Sequence, residues 1–379
     1  MPFMKTNIIE VTSKRDKKRF IDFPHDLYKN DPNYVPEIYI GQKELLSEKK
    51  NPFFRHSKVQ LYLAYQDKKI VGRIAAIRNN EYNRFANTNA GFFGLFDVIE
   101  NYEVAKDLLD TATAWIKNEK LKAVYGPANF STNDTAGLLV DGFDRPPVVM
   151  MVYNKPYYAT FLERYGFSKQ MDMLAYHVTE KTVNTKSVRI ANMLGERLAR
   201  KGIHVRTVSM KNFKKEVGVI REIYKGAWDK NWGFVPPTDD EFNHLAEGLK
   251  MGIDPDFALI AEHDGKAIAF ALAVPDINVI ARTIKKGRLL PTGIFKLLFQ
   301  KKKIKRLRII LLGVLEDYRK MGIEGIFYAR IISRGMEKGF NEAEASWILD
   351  NNEMMKKGVE GVNMVAYKRY RMYEMQINS

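Results

Sequence analysis

The chain of 379 residues contains no cysteine. Disulfides, thiolate metal sites, iron–sulfur clusters and a cysteine nucleophile are therefore excluded. Its six histidines (His25, His56, His177, His204, His244 and His263) never pair as HxxxH or HExxH. No zinc-hydrolase signature is present, and no metal is expected. No apolar run approaches the ~20 residues that a membrane-spanning helix requires. Met1-Pro2-Phe3-Met4-Lys5 leads directly into an alternating segment, and no signal peptide is expected before it. The expected location is cytoplasmic. Hydrophobic residues at 45% and charged residues at 28% exclude wholesale disorder.

Acidic residues are missing from one long stretch. The net charge is +16, and eleven of the basic residues fall between Arg282 and Arg308: Arg282, Lys285, Lys286, Arg288, Lys296, Lys301, Lys302, Lys303, Lys305, Arg306 and Arg308. The excess is local and not a general basic coat. Such a stretch attracts polyanions, so residues 282–308 are a candidate contact for an anionic partner, either a lipid surface or RNA. A solvated loop and helix face is the competing reading.

Apolar periodicity divides the chain into two halves with one element order. In the first half, strand 8–11 and helix 14–29 precede two strands, 60–65 and 70–77, joined as a hairpin. Strand 91–99, helix 102–119, strand 123–125, helix 156–165 and strand 171–178 follow. In the second half, strand 204–209 and helices 211–228 and 239–251 precede a hairpin, 257–262 and 267–274, across His263-Asp264-Gly265-Lys266. Strand 307–314, helix 322–338, strand 343–349, helix 352–360 and strand 366–373 complete it. The two hairpins lie about 200 residues apart, the spacing of a duplicated domain. The expected domains are 1–180 and 188–379, linked by residues 179–187, with helix 188–201 bridging the halves.

The sharpest local signal is Leu311-Leu312-Gly313-Val314-Leu315-Glu316-Asp317-Tyr318-Arg319-Lys320-Met321-Gly322-Ile323-Glu324-Gly325. A buried strand enters a basic, glycine-containing turn and then a long helix. Free N–H groups and the helix dipole make that helix start an anion site. Here the chain resembles the GNAT acyltransferases, whose [Q/R]-x-x-G-x-[G/A] signature cradles the pyrophosphate of coenzyme A. Arg319 and Gly322 match it. Glu324 stands at the sixth position, with Gly325 one place late, and a carboxylate there is unfavourable for a phosphate.

The resemblance implies an α/β (α+β) fold of two tandem GNAT-like domains, each a mixed, mostly antiparallel sheet flanked by helices. It implies acetyl-CoA or another acyl-CoA as a substrate, held by Val314, Arg319, Lys320, Gly322, Ile323 and Gly325. The acyl group would pass to a small-molecule or peptide amine. That chemistry needs a base for the ammonium, donors for the oxyanion and an acid for the thiolate. Candidate bases at strand ends are Glu316, Asp317 and Asp350, and candidate acids are Tyr318 and Tyr328.

The first half also resembles the family, through Asn154, Ala159, Glu163, Arg164, Gly166 and Phe167 of the segment 154–167. Leu162 occupies the place where many members carry an acidic aromatic hydroxyl. Strand 91–99 is followed by Glu100-Asn101-Tyr102-Glu103, without a glycine loop. The first domain is therefore expected to be degenerate and to help shape the acceptor site.

Asn129, Ser131, Asn133 and Asp134 follow strand 123–125 and form a candidate substrate pocket, or a loop that satisfies its own backbone. Trp228, Trp232 and Phe234 flank the Gly-Pro loop 229–237, a candidate lid or a packed helix junction. Residues 277–306 form an insertion that the sheet does not require. Ile294, Leu297 and Leu298 lie on one face of a helix there, with lysines beyond: an interfacial helix or a face packed on the first domain. Two other functions stay open, an aminoacyl-tRNA-dependent transferase of the Fem type and a non-catalytic binding module.

Overall fold

In the computed structural model, which describes residues 5–229 and 231–377, both turn signals become hairpins. The first joins β2 (Lys58–Gln66) to β3 (Lys69–Arg78), and the second joins β9 (Ala258–His263) to β10 (Lys266–Pro275). Asp264 and Gly265 both have positive φ, 49° and 79°, as a two-residue type I′ turn requires.

The chain divides into two compact units that do not follow the sequence halves. Unit one comprises the chain to Asp172, the segment Ile280–Phe299 and the chain from Tyr370 onward. Unit two comprises Met173–Val279 and Gln300–Arg369. Lys230 and residues 1–4, within the loop and leader readings above, lie outside the described residues.

Unit one contains β1 (Asn7–Glu10), α1 (Lys14–Leu27), α2 (Tyr39–Leu45), the first hairpin, α3 (Asn80–Ala86), β4 (Ala90–Val98), α4 (Tyr102–Asn118), β5 (Ala123–Gly126), β6 (Leu138–Asp141) and α5 (Tyr157–Tyr165). Helix α4 starts where the Asn101 side chain accepts the Glu103 N–H, and it buries Val104, Ala105, Leu108, Leu109, Ala112 and Ile116 on one face. Helix α5 ends at Gly166, whose φ of 116° suits glycine.

The next strand, β7 (Ser168–Thr179), begins in unit one and ends in unit two. Unit two continues through α6 (Thr185–Ala199), β8 (Ile203–Thr207), α7 (Phe213–Trp228), α8 (Asp239–Lys250) and the second hairpin. After α9 (Asn278–Ala281) and α10 (Ile294–Phe299) come β11 (Arg306–Val314), α11 (Ile323–Glu337), β12 (Glu342–Leu349), α12 (Glu353–Glu360) and β13 (Val365–Gln376).

The unit-one sheet has the order β1-β2-β3-β4-β5-β13, and the unit-two sheet β7-β12-β11-β10-β9-β8. All these pairings are antiparallel except β4–β5 and β11–β12. The closing strands are exchanged. The later part of β7 pairs with β12, and the later part of β13 pairs with β5. Periodicity reports which residues are buried on a strand, not which neighbour it bonds.

Helix α6 belongs to unit two, where it packs on α11, with Leu194 against Gly322 and Gly195 against Ile326. The insertion's Ile280–Phe299 segment belongs to unit one. Arg288 pairs with Asp22 at 2.8 Å and Lys286 with Asp26 at 2.8 Å, both on α1. Gly287, at φ 62°, sits against the Glu37 carbonyl where no Cβ would fit.

Candidate active site

Each unit has one place where parallel central strands part. In unit one, β4 and β5 pair from Ala90↔Ala123 to Phe92↔Tyr125, and β4 then runs on without β5, paired only with β3. The chain itself fills the gap. Ala128 N–H donates to the Phe93 carbonyl at 2.9 Å, and the Leu95 N–H donates to Asn129 Oδ1 at 2.9 Å. A Cβ on Gly94 would stand 1.9 Å from the Ala128 carbonyl oxygen. At the strand's end, Val98 N–H donates to the Tyr158 hydroxyl and the Val98 carbonyl accepts from Tyr157, so its backbone is occupied too.

The polar loop of unit one is held in the same way. Asn129 donates its backbone N–H to the Thr135 carbonyl and its side-chain amide to the Thr135 hydroxyl, and the Ser131 hydroxyl accepts the Asn133 N–H. Asn133 and Asp134 are half-buried and have partners. Asn129 and Ser131 thus serve the loop's own backbone.

In unit two, β11 and β12 pair from Arg306↔Glu342 to Ile309↔Ala345 and then diverge. Both strands continue, to Val314 and Leu349. Among the described residues no backbone hydrogen bond from another segment enters this gap. Gly313 lets the Trp228 indole lie on β11, since a Cβ there would meet it at 2.3 Å. Trp228, Phe234 and Phe242 gather around Tyr224 at the α7–α8 junction, so these aromatics pack a helix junction. Trp232 is half-buried.

Strand β11 leads through Glu316–Met321 into α11, whose N-cap Gly322 has φ 76°. The Gly322 carbonyl accepts from Ile326, the first bond of the helix, and the N–H groups before it are left to other acceptors. Arg319 does not project freely: its guanidinium donates to the Val314 and Ala227 carbonyls at 3.3 and 3.0 Å. Lys320 is exposed, and a Cβ on Gly325 would meet nothing within 4 Å.

Glu324 turns inward, near Gly358 of α12. Its Oε2 is buried without a partner among the described residues, and burial raises its carboxyl above the ordinary range. Tyr328, also against Gly358, keeps its proton because burial and the Glu324 charge both raise it.

Glu316 is exposed, and Asp350 lies 3.8 Å from Lys356 at the end of β12. The Tyr318 hydroxyl is 3.0 Å from His263 Nδ1. His263 ends β9, so Tyr318 leans across β10, away from the gap.

A polar chain at the floor of the gap escaped the sequence reading. Arg308, buried, donates through Nε to the Ser346 hydroxyl at 3.0 Å and through Nη2 to its carbonyl at 3.1 Å. The Ser346 hydroxyl donates to Glu344 Oε1 at 2.6 Å, and the Tyr367 hydroxyl donates to Oε2. Glu344 has no exposed surface, whereas Tyr367 is half-buried. On the same face, Glu342 meets Arg306 at 2.6 Å and His177 at 3.1 Å. The hydrogen bond to His177, with the Arg306 charge, holds its carboxyl at about 2. Nearby, the buried Trp347 indole N–H has no acceptor among the described residues. Alternating charges on two strands that otherwise look buried, Arg306/Arg308 and Glu342/Glu344, were the available signal.

No protein-family model matches the chain. It is 35% identical to protein YghO of Escherichia coli (strain K12) over 372 residues, covering 96% of this chain and 94% of that one. It is also 35% identical to the bacterial ceramide synthase of Caulobacter vibrioides over 386 residues, covering 99% of each. The chain belongs to the family of YghO and the bacterial ceramide synthase. Solved structures show the fold of this family member to be that of tandem GNAT proteins. One is a tandem GNAT protein from the clavulanic acid biosynthesis pathway (TM-score 0.59, 9% identity, 99% of both chains). Another is a GCN5-related N-acetyltransferase from Sphaerobacter thermophilus (TM-score 0.54, 12% identity, 99% of this chain and 96% of that one). Among the described residues no group of three or more His, Asp or Glu side chains could hold a metal ion.

Proposed function

We propose that the protein transfers an acyl group from an acyl-CoA to the amine of a long-chain amino alcohol, forming an amide. One observation carries this reading: beside a glycine-started helix in unit two the strands part with no backbone hydrogen bond from another segment among the described residues, while the counterpart in unit one is filled by the chain's own loop. The acceptor class follows from the relative named a ceramide synthase, since a ceramide is such an amide.

An extended pantetheine arm carries amides that can pair with the free edge of β11. The pyrophosphate would meet the α11 N-terminus, at Gly322, Ile323 and Gly325, with Lys320 beside it. The amine nitrogen bonds to the thioester carbon and the carbon–sulfur bond breaks. We assign the base to Glu344, which receives the proton through the Tyr367 hydroxyl as that hydroxyl hands on its own. The departing thiolate takes its proton from solvent, since Tyr328 is buried and keeps its own. Asp350 is the alternative base that a variant would separate.

A thermal-shift screen of CoA thioesters tests the reading. A ligand at 100 times its dissociation constant adds about 2.7 kcal/mol, so a long-chain acyl-CoA should raise the melting temperature. If no CoA thioester does so, the reading fails.

A further inference from the structure

We infer that the face of unit one formed by the Ile280–Phe299 segment docks onto an anionic lipid bilayer. The inference stands apart from the acyl-transfer reading. The segment is anchored on its inner side, where Ile280, Ala281, Ile284, Gly287 and Gly293 are buried and Arg288 and Lys286 pair with Asp22 and Asp26 on α1. Its outer side is apolar and open. Leu290 is 79% exposed, Phe295 57%, Leu298 54% and Phe299 79%. Phe295, Leu298 and Phe299 stand at i, i+3 and i+4, on one helical face. The two phenylalanine rings lie parallel, 6.4 Å apart, in solvent. Single exposed apolar residues are ordinary; a contiguous group of large ones marks an interaction site. Of the three side chains expected on the open face, Leu298 is exposed while Ile294 and Leu297 are half-buried, and the two phenylalanines complete that face.

Charge selects the occupant. Once Lys286 and Arg288 are paired, Arg282, Lys285 and Lys296 form no ion pair among the described residues; Arg282 and Lys296 donate to the Pro32 and Thr283 carbonyls. Lys301, Lys302 and Lys303 follow in the chain and are exposed. Covalent continuity alone keeps Lys301 within about 8 Å of Phe299. No acidic residue occurs from 282 to 308, so a second copy of the chain would bring like charge against like. An anionic headgroup layer over an acyl interior matches both the cations and the phenylalanines. No described helix is long and apolar enough to cross a membrane, so the mode is surface docking.

The test is co-sedimentation of the full chain with phosphatidylglycerol-containing and pure phosphatidylcholine vesicles, at low and high salt. The protein should pellet with the anionic vesicles alone and be released by salt, because screening shortens the attraction. Each lysine near the surface is worth about fivefold in partitioning, so replacing Lys301, Lys302 and Lys303 with Ala should cost roughly a hundredfold. The double variant Phe295→Ser, Phe299→Ser should lose binding with an unchanged melting temperature, since both rings are exposed. Equal binding to neutral vesicles, or none to either kind, overturns the inference. So does concentration-dependent self-association abolished by the serine variant, or tRNA binding without vesicle binding.

Discussion

Tyr367 donates its hydroxyl proton to Glu344, a carboxylate with no exposed surface at the floor of the unit-two strand gap. The pair joins a fully buried carboxylate to a half-buried hydroxyl. Glu344→Gln keeps the shape and removes the base. Its kcat should fall roughly 10²–10⁴-fold with little change in the KM for acyl-CoA. Tyr367→Phe should fall similarly, and the double variant no further, as expected of residues acting as a unit. A structural role would instead lower stability by about 1–3 kcal/mol through the unpaired buried acceptor and leave kcat of the folded fraction unchanged. Urea titration beside steady-state kinetics separates the two.

Gly325 offers a cleaner probe of the pyrophosphate site than Gly322. A side chain at Gly322 would be strained by its φ of 76° and would meet Leu194 at 2.8 Å, whereas Gly325 faces open space. Gly325→Asp adds a carboxylate in the first turn of α11, which should stabilise the fold by about 0.5–1 kcal/mol. The same charge should weaken CoA binding roughly tenfold or more. Calorimetry showing unchanged CoA affinity in this variant would move the site elsewhere.

The fold elements and the strand–turn–helix at 311–325 were legible because each is local. Apolar spacing marks α4, and glycine marks the end of α5 and the start of α11. The exchange of β7 and β13 was not legible, because an alternating strand carries no record of its partner. The Arg308–Ser346–Glu344–Tyr367 chain draws on three strands, and only the parallel register of β11 and β12 sets Arg308 opposite Glu344. Helices α2 and α3 and strand β6 are short, and their apolar residues are too few to show a period.

Glu324 should make the protein less stable as pH rises. Burial raises its folded carboxyl above the unfolded value, so its contribution is fully present below the unfolded pKa and is lost as pH rises through the folded one. Glu324→Gln cannot ionise. Relative to wild type, the variant should gain stability between pH 4.5 and pH 8 in urea titrations. A pH-independent difference would show that the carboxyl is not perturbed.

Glu342 should act in the opposite direction. Its folded carboxyl, held at about 2 by His177 and Arg306 against an ordinary 4.5, stabilises the fold above the unfolded pKa and ceases to do so as pH falls through the folded one. Glu342→Gln should be less stable than wild type at neutral pH. The gap should narrow as pH drops from 4.5 toward 2. Melting curves of both proteins across that window check it, and a constant gap would contradict the assigned ion pairs.

Release of free thiol, followed with a thiol-reactive dye, tests the acyl-transfer account most directly. The chain has no cysteine, so every thiol detected is coenzyme A. With a long-chain acyl-CoA and a long-chain amino alcohol, the account predicts thiol release in step with amide formed, both strongly reduced in Glu344→Gln. Thiol release that is absent, or that proceeds equally without the amine, would contradict it.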